Sequence, residues 1–364
     1  MTRRKFLSTQ AGWLGALGTL APFARSAKTK EPPKRPRRGV SLAGPEFGSA
    51  KAEFSNLNPG VCGRDYTYNS ESTFAYFCAH NLRLLRLPLR WERLQPHFNQ
   101  PLEETEIRHL RTAIGWAHEH GGEVILDIHN YGRYITRVGK RRCEGVIDQP
   151  AKNGVEVTRN HFADLWRRLA RLFQDEAGVS AYGLMNEPHD LGTSDWHKIS
   201  QAAVKAIREE SDNKLILIAG DGWSNAARFG ELNGRRAWIN DPANNVAYEA
   251  HCYFDHDFSG RYKLSFDEEL ARDPRLETRG VNRLQPFVQW CRSNRVRGFL
   301  GEFAIPATDA RWEPVMRSFL AALDRAGMEG CYWAAGEWWS DYPLSIQPSG
   351  SEQRPARQLR LLMR

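Results

Sequence analysis

The chain has 364 residues, 41% hydrophobic and 26% charged, which is enough apolar side chain to bury a sizeable core and excludes disorder for its bulk. No apolar run reaches the roughly 18 residues that a membrane-spanning helix needs, which argues against an integral membrane protein of that kind. The net charge of +8 is concentrated at the N-terminus, with +4 in residues 1–26 and +5 in residues 28–38, leaving −1 for the remainder. Charge therefore gives no support to nucleic-acid binding.

In chain order, Thr2-Arg3-Arg4-Lys5-Phe6-Leu7 is a twin-arginine pattern. A mildly apolar stretch from Gly12 to Phe23 follows, and Ala24 and Ser26 supply small residues for cleavage after Ser26. The competing reading is a chance Arg pair before an amphipathic helix. The order of the three features predicts an export signal over residues 1–26 and a periplasmic or secreted protein. Residues 27–38 carry three prolines and six cations and predict a solvated arm.

From residue 39 to 364, short apolar runs alternate with longer amphipathic stretches. Strands are predicted at Gly39–Ala43, Leu82–Leu87, Glu123–Ile128, Val179–Met185, Lys214–Ala219, Val246–His251, Gly298–Gly301 and Gly330–Ala334. Helices are predicted at Glu103–His120, Arg159–Glu176, Trp196–Glu210, Val281–Asn294 and Glu313–Gly327, with a last one over Glu352–Met363. Eight βα units predict an α/β fold of the (β/α)8 TIM-barrel type. An open doubly wound sheet fits the same alternation. A dinucleotide site of that fold needs G-x-G-x-x-G after its first strand, where this chain has Gly44-Pro45-Glu46-Phe47-Gly48. No phosphate-binding G-x-x-x-x-G-K-[ST] loop occurs, and no cofactor is implied. The six cysteines, Cys62, Cys78, Cys143, Cys252, Cys291 and Cys331, form no C-x-x-C pair, which argues against a zinc ribbon. If an oxidising compartment pairs any of them, Cys291–Cys331 is the first expectation.

Barrel chemistry sits at the C-terminal ends of the strands, and there polar residues crowd. The second predicted strand ends in Arg86-Leu87-Pro88, the third in Asp127-Ile128-His129-Asn130-Tyr131, and the fourth in Met185-Asn186-Glu187-Pro188. The sixth ends in Ala250-His251-Cys252-Tyr253, the seventh in Gly301-Glu302-Phe303, and the eighth runs into Trp333-Ala334-Ala335-Gly336-Glu337-Trp338-Trp339. Glu187 and Glu302 follow the fourth and seventh predicted strands, which lie across a barrel mouth, so the two are expected to face one another there. Two carboxylates so placed suit glycoside hydrolysis, one attacking the anomeric carbon and the other donating a proton to the leaving oxygen, provided their environments push their pKa values apart.

These stretches, together with Leu85-Arg86-Leu87-Pro88, Gly132-Arg133-Tyr134, His189-Asp190 and Ser340-Asp341-Tyr342, resemble the endoglucanases of glycoside hydrolase family 5. The order is the family's and the resemblance covers most of residues 39–348, including the subfamily signature Trp-Ala-Ala-Gly-x-Trp-Trp. It implies that Glu187 is the acid/base and Glu302 the nucleophile. It further implies that Asn186 holds the sugar 2-hydroxyl, that Arg86 and Tyr253 hydrogen-bond the nucleophile, and that His129 and His251 bind hydroxyls. Trp333 would floor the reacting sugar, since sugar C–H faces stack on indole rings. Asp127, Trp338 and Trp339 remain open between structural and substrate-contacting roles, Asn130 between turn residue and ligand, and the basic insertion Arg137–Gln149 between cleft wall and solvated loop.

The expected activity is exported, retaining endo-β-1,4-glucanase action on a β-glucan polysaccharide. Mannanase, xyloglucanase and mixed-linkage glucanase are the alternatives within the fold, and a non-catalytic glycan-binding barrel is the alternative outside catalysis. A metal-dependent hydrolase through His129 and His251 is disfavoured by the lack of an H-E-x-x-H pattern, so no metal is expected. The protein is expected to act as a monomer with no nucleic-acid partner. No stretch beside the barrel is long enough for a carbohydrate-binding module, so soluble or amorphous glucan is expected rather than crystalline cellulose.

Overall fold

The computed structural model describes residues 36–151, 154–349 and 354–363. The predicted export signal and most of the arm lie outside the described residues. Ten strands occur among the described residues: β1 (Arg38–Leu42), β2 (Leu84–Leu89), β3 (Glu123–Ile128), β4 (Arg133–Val138), β5 (Arg141–Val146), β6 (Val179–Gly183), β7 (Leu215–Ala219), β8 (Val246–His251), β9 (Arg297–Glu302) and β10 (Glu329–Ala335). Eight of them close a parallel barrel in the order β1-β10-β9-β8-β7-β6-β3-β2. The TIM barrel is thus observed, with each predicted strand within a few residues of its place.

The helices Glu71–Ala79, Glu104–Glu119, Arg159–Phe173, Trp196–Glu209, Leu276–Asn294 and Trp312–Ala326 run between barrel strands. Two starts follow from the sequence. The Thr158 hydroxyl accepts from the His161 amide and the Asp195 carboxylate from the Lys198 amide, satisfying donors that an uncapped first turn leaves open. The helix at residues 71–79 was not predicted, because ESTFAYFCA mixes β-branched and aromatic residues of weak helix propensity and is held by burial of Thr73, Phe74, Tyr76, Phe77 and Cys78. The predicted last helix shrinks to Leu359–Leu362, since Pro355 disfavours helix at and before itself. The basic insertion after β3 is an antiparallel hairpin, β4 with β5, turning at Gly139 and Lys140.

Strand alternation builds the barrel interior in layers. Leu84, Ile125, Ala181, Leu217, Ala247, Phe299 and Cys331 form one buried apolar layer. Two residues further along these strands the same face carries Arg86, Asp127, Gly183, Ala219, Glu249, Gly301 and Trp333. The inward face therefore turns from apolar to charged at the end where the strands stop.

All six cysteines are free, which corrects the expected Cys291–Cys331 pair. Cys331 points into the barrel, its thiol facing the Leu84 carbonyl at 3.8 Å. Cys291 sits on the helix outside the wall, its Sγ 3.0 Å from where a Cβ on Gly298 would lie. The barrel wall stands between them, and a disulfide needs Cβ atoms roughly 4 Å apart.

Candidate active site

Arg86 anchors the charged layer. It is fully buried and its Nη1 donates to Glu302 Oε1 at 3.0 Å. Its Nη2 donates to Asn186 Oδ1 at 2.6 Å and lies 3.1 Å from Asp127 Oδ2 and 3.7 Å from Glu249 Oε1. Tyr253 donates its hydroxyl to Glu302 Oε2 at 2.6 Å. Glu302 is thus held at both oxygens, by a cation on one side and a phenol on the other.

Glu187 reaches the same site from the end of β6. Adjacent residues of a strand point to opposite faces, yet Asn186 and Glu187 both enter the mouth, because Glu187 adopts a left-handed backbone with φ 43°. Such a conformation costs a non-glycine residue about 1–3 kcal/mol and persists only where surrounding contacts hold it. The Asn186 amide donates to the Ile128 carbonyl at 2.7 Å and its carbonyl accepts from the Tyr131 amide at 3.1 Å. One Glu187 oxygen meets His251 Nδ1 at 2.7 Å, and His251 Nε2 meets Glu249 Oε1 at 3.2 Å. One ligand atom from each of Glu187, His251 and Glu302 falls within 4.8 Å of the others.

The electrostatics separate the two carboxyls. Burial raises Glu187 above the ordinary range, with the Glu302 charge adding to it against the pull of His251. Burial also acts to raise Glu302, but the His251 and Arg86 charges and the Tyr253 hydrogen bond outweigh it and hold Glu302 low. His251 is pushed up to about 10, where Glu302, Glu187 and Glu249 overcome its desolvation. His129 is held well below its usual value by burial and by Arg86. A neutral His129 fits its partners: Nδ1 at 2.9 Å from Asp127 Oδ2 gives a proton, and Nε2 at 3.2 Å accepts from Asn186 Nδ2. Asn186 then keeps a second amide hydrogen for an incoming hydroxyl.

All eight residues predicted for the site, Arg86, His129, Asn186, Glu187, His251, Tyr253, Glu302 and Trp333, come together at the C-terminal mouth. Trp333 is half-buried and stacks near His129, with centroids 5.4 Å apart and planes 14° from parallel. Of the open cases, Asp127 orients His129 and faces Arg86. Asn130 is a structural residue, accepting from the Trp91 amide at 2.9 Å and donating to Glu92. Trp339 packs on Tyr342 with centroids 4.1 Å apart, while Trp338 is 41% exposed at the rim.

Two residues escaped the sequence reading. Glu249 lies two residues before His251 on β8 and so shares its face; an acid inside an apolar strand was the available signal. Trp223, after β7, is 49% exposed and stacks on His189 at 3.3 Å. A single aromatic in a Gly-rich turn carries no periodic signal.

Gly301 gives a test of the charged layer. A Cβ there would fall 1.8 Å from Glu249 Oε1 and 2.7 Å from His251 Nε2. Gly301→Ala is expected to cost about 1–3 kcal/mol of stability through overpacking and to lower kcat by at least tenfold as His251 moves. Thermal melts and initial rates check this; a variant that melts and turns over like the parent would show that the layer does not constrain His251.

The Glu187, His251 and Glu302 donors are also a set that a divalent cation could accept. Here Glu302 already takes Arg86 and Tyr253, His251 Nδ1 already faces Glu187, and the Arg86 charge opposes a second cation. Treatment with EDTA is expected to leave activity unchanged, and loss restored by one added metal would assign the cluster to a cation.

The sequence profile of Cellulase (glycosyl hydrolase family 5) matches residues 42–338. Endoglucanase 1 of Robillarda sp. is 31% identical over 315 residues, covering 83% of this chain and 78% of that protein. Endo-beta-1,4-glucanase B of Emericella nidulans is 28% identical over 315 residues, covering 85% and 86%. Among solved structures, the Pseudomonas stutzeri endoglucanase Cel5A in complex with cellobiose superposes with a TM-score of 0.77 at 34% identity, covering 90% of this chain and 91% of that one.

Proposed function

Because the chain belongs to the cellulases of glycosyl hydrolase family 5 and is a glycoside hydrolase, we propose that it is an exported endo-β-1,4-glucanase that cuts internal bonds of β-glucan with retention. Glu302 attacks the anomeric carbon while Glu187 protonates the leaving oxygen; Glu187 then takes a proton from water, which releases the glycosyl group. Arg86 and Tyr253 keep Glu302 ionised and aimed, Asn186 and His129 receive the hydroxyls of the reacting sugar, and Trp333 lies under its ring. His251 couples the two carboxylates.

The observation that carries this reading is the pairing of Glu187 and Glu302 in opposed environments, with an oxygen of each inside a 4.8 Å cluster. Inversion needs a wider gap of about 6.5–9.5 Å to admit water, whereas retention uses about 5–5.5 Å. The twin-arginine pattern supports export, and a fusion of residues 1–38 to a reporter tests it.

The enzyme is expected to drop the viscosity of carboxymethyl cellulose and barley β-glucan quickly, to leave mannan intact, and to release the β-anomer first by NMR. Cleavage of mannan alone would move the substrate within the fold; first release of the α-anomer would overturn retention. The pH profile follows from the two directions. Activity falls at low pH as Glu302 protonates, below the ordinary carboxylate range, and falls at high pH as the raised Glu187 loses its proton. A profile with its acid limb above the ordinary carboxylate range would reverse the assignment of the pair.

A further inference from the structure

The β4–β5 hairpin lies at the rim, on the Glu187 side of the mouth. The Ile147 amide donates to the Gly132 carbonyl at 3.1 Å, and Arg133 Nη1 donates to the His189 carbonyl at 2.8 Å. Between the hairpin and the loop after β6 is an open cavity of about 420 Å³, lined among others by Thr136, Arg141, Arg142, Gln149, Asp190 and Gly192. Asp190 is three residues past Glu187, so their Cα atoms are at most about 11 Å apart. A glycan chain that extends a few sugar rings beyond Glu187 on this side spans the distance to Asp190, which lines the cavity.

Its charge is unbalanced. Arg141 and Arg142 are exposed, and among the described residues neither has an ion pair or a side-chain hydrogen bond, while Lys140 at the hairpin turn adds a third cation. Of the two acids in the lining, Glu144 is already paired with Arg133 at 3.1 Å, which leaves Asp190 alone. None of these side chains enters the chemistry derived above. Guanidinium groups bind carboxylates through parallel N–H donors.

We propose that this cavity receives a carboxylate substituent on the glycan chain, so that the enzyme prefers an acidic β-glucan to a neutral one. The inference rests on the glucanase reading above and adds a substrate class to it. Exposed charge pairs are individually weak, so discrimination comes from both arginines together and is screened by salt.

The test compares carboxymethyl cellulose with barley β-glucan for the parent and for Arg141→Gln/Arg142→Gln, at about 0.01 M and about 0.3 M salt, between which the screening length falls from about 30 Å to under 10 Å. The double variant is expected to lower the ratio of kcat/KM on the acidic to that on the neutral glucan by roughly fivefold at low salt, through KM. The parent alone, without any substitution, is expected to lose most of its preference at the higher salt. A ratio unmoved by the substitutions, or a loss equal on both glucans, would overturn the proposal. If neither glucan is cut the glucanase reading itself fails; retardation of the parent but not the variant in gels containing carboxymethyl cellulose then still reads the cavity.

Discussion

Replacing Glu302 with Gln is expected to lower kcat on β-glucan by on the order of 10⁴-fold or more, equivalent to about 5 kcal/mol of transition-state stabilisation. The amide keeps the volume of the carboxylate but cannot act as the nucleophile. The fold should tolerate the change, because Arg86 retains Asp127 at 3.1 Å and Glu249 at 3.7 Å, and the Tyr253 hydroxyl can turn to accept from the new amide. His251 loses the largest charge holding it at about 10, so its imidazolium should titrate lower in the variant, which NMR of the ring protons can follow. Affinity for cellohexaose should stay within about tenfold of the parent, since the hydroxyl-binding residues are untouched. Tight binding without turnover is the result expected of a disabled hydrolase. Turnover within tenfold of the parent would remove Glu302 from the nucleophile role and return weight to a different carboxylate of the charged layer.

Much of this site was legible before any coordinates, and the reason is geometric. A parallel barrel sends every strand end to one mouth, so residues that follow apolar runs, such as Arg86, His129, Glu187 and Glu302, are brought together whatever their separation in sequence. Period-two alternation then makes Asp127 share a face with His129 and Glu249 with His251. What escaped was information that alternation does not carry. Glu187 enters the mouth beside Asn186 only through its left-handed backbone, and residue type alone does not announce that conformation. Gly301 reads as an ordinary small strand residue until the Glu249 and His251 atoms that fill its missing Cβ are in place. Cys291 and Cys331 look like partners along the sequence and lie on opposite sides of a wall. The extent of the β4–β5 hairpin was hidden because its arginines give neither an apolar stripe nor a helical period.

Glu187→Ala is expected to behave differently from the Glu302 variant, and the difference identifies the acid/base. On polysaccharide, where the leaving oxygen is an unactivated sugar hydroxyl, loss of the proton donor should cost about 10²–10⁴-fold. On an aryl cellobioside with a strongly acidic phenol the bond breaks without protonation, so the first step should proceed at close to the parental rate. The second step still lacks its base, so the product should appear as a burst followed by slow turnover. The pH dependence adds an independent sign. In the parent the alkaline limb belongs to Glu187, raised by burial and by the neighbouring Glu302 charge. With Glu187 gone that limb should vanish for the activated substrate. Glu302, freed of a like charge, should keep its acid limb at or below the parental position. His251, no longer facing Glu187 at 2.7 Å, still has Glu302 Oε2 at 3.6 Å, so the site retains its cation and the nucleophile remains ionised. Equal losses on polysaccharide and activated aryl substrate, with the alkaline limb preserved, would show that proton delivery comes from another group.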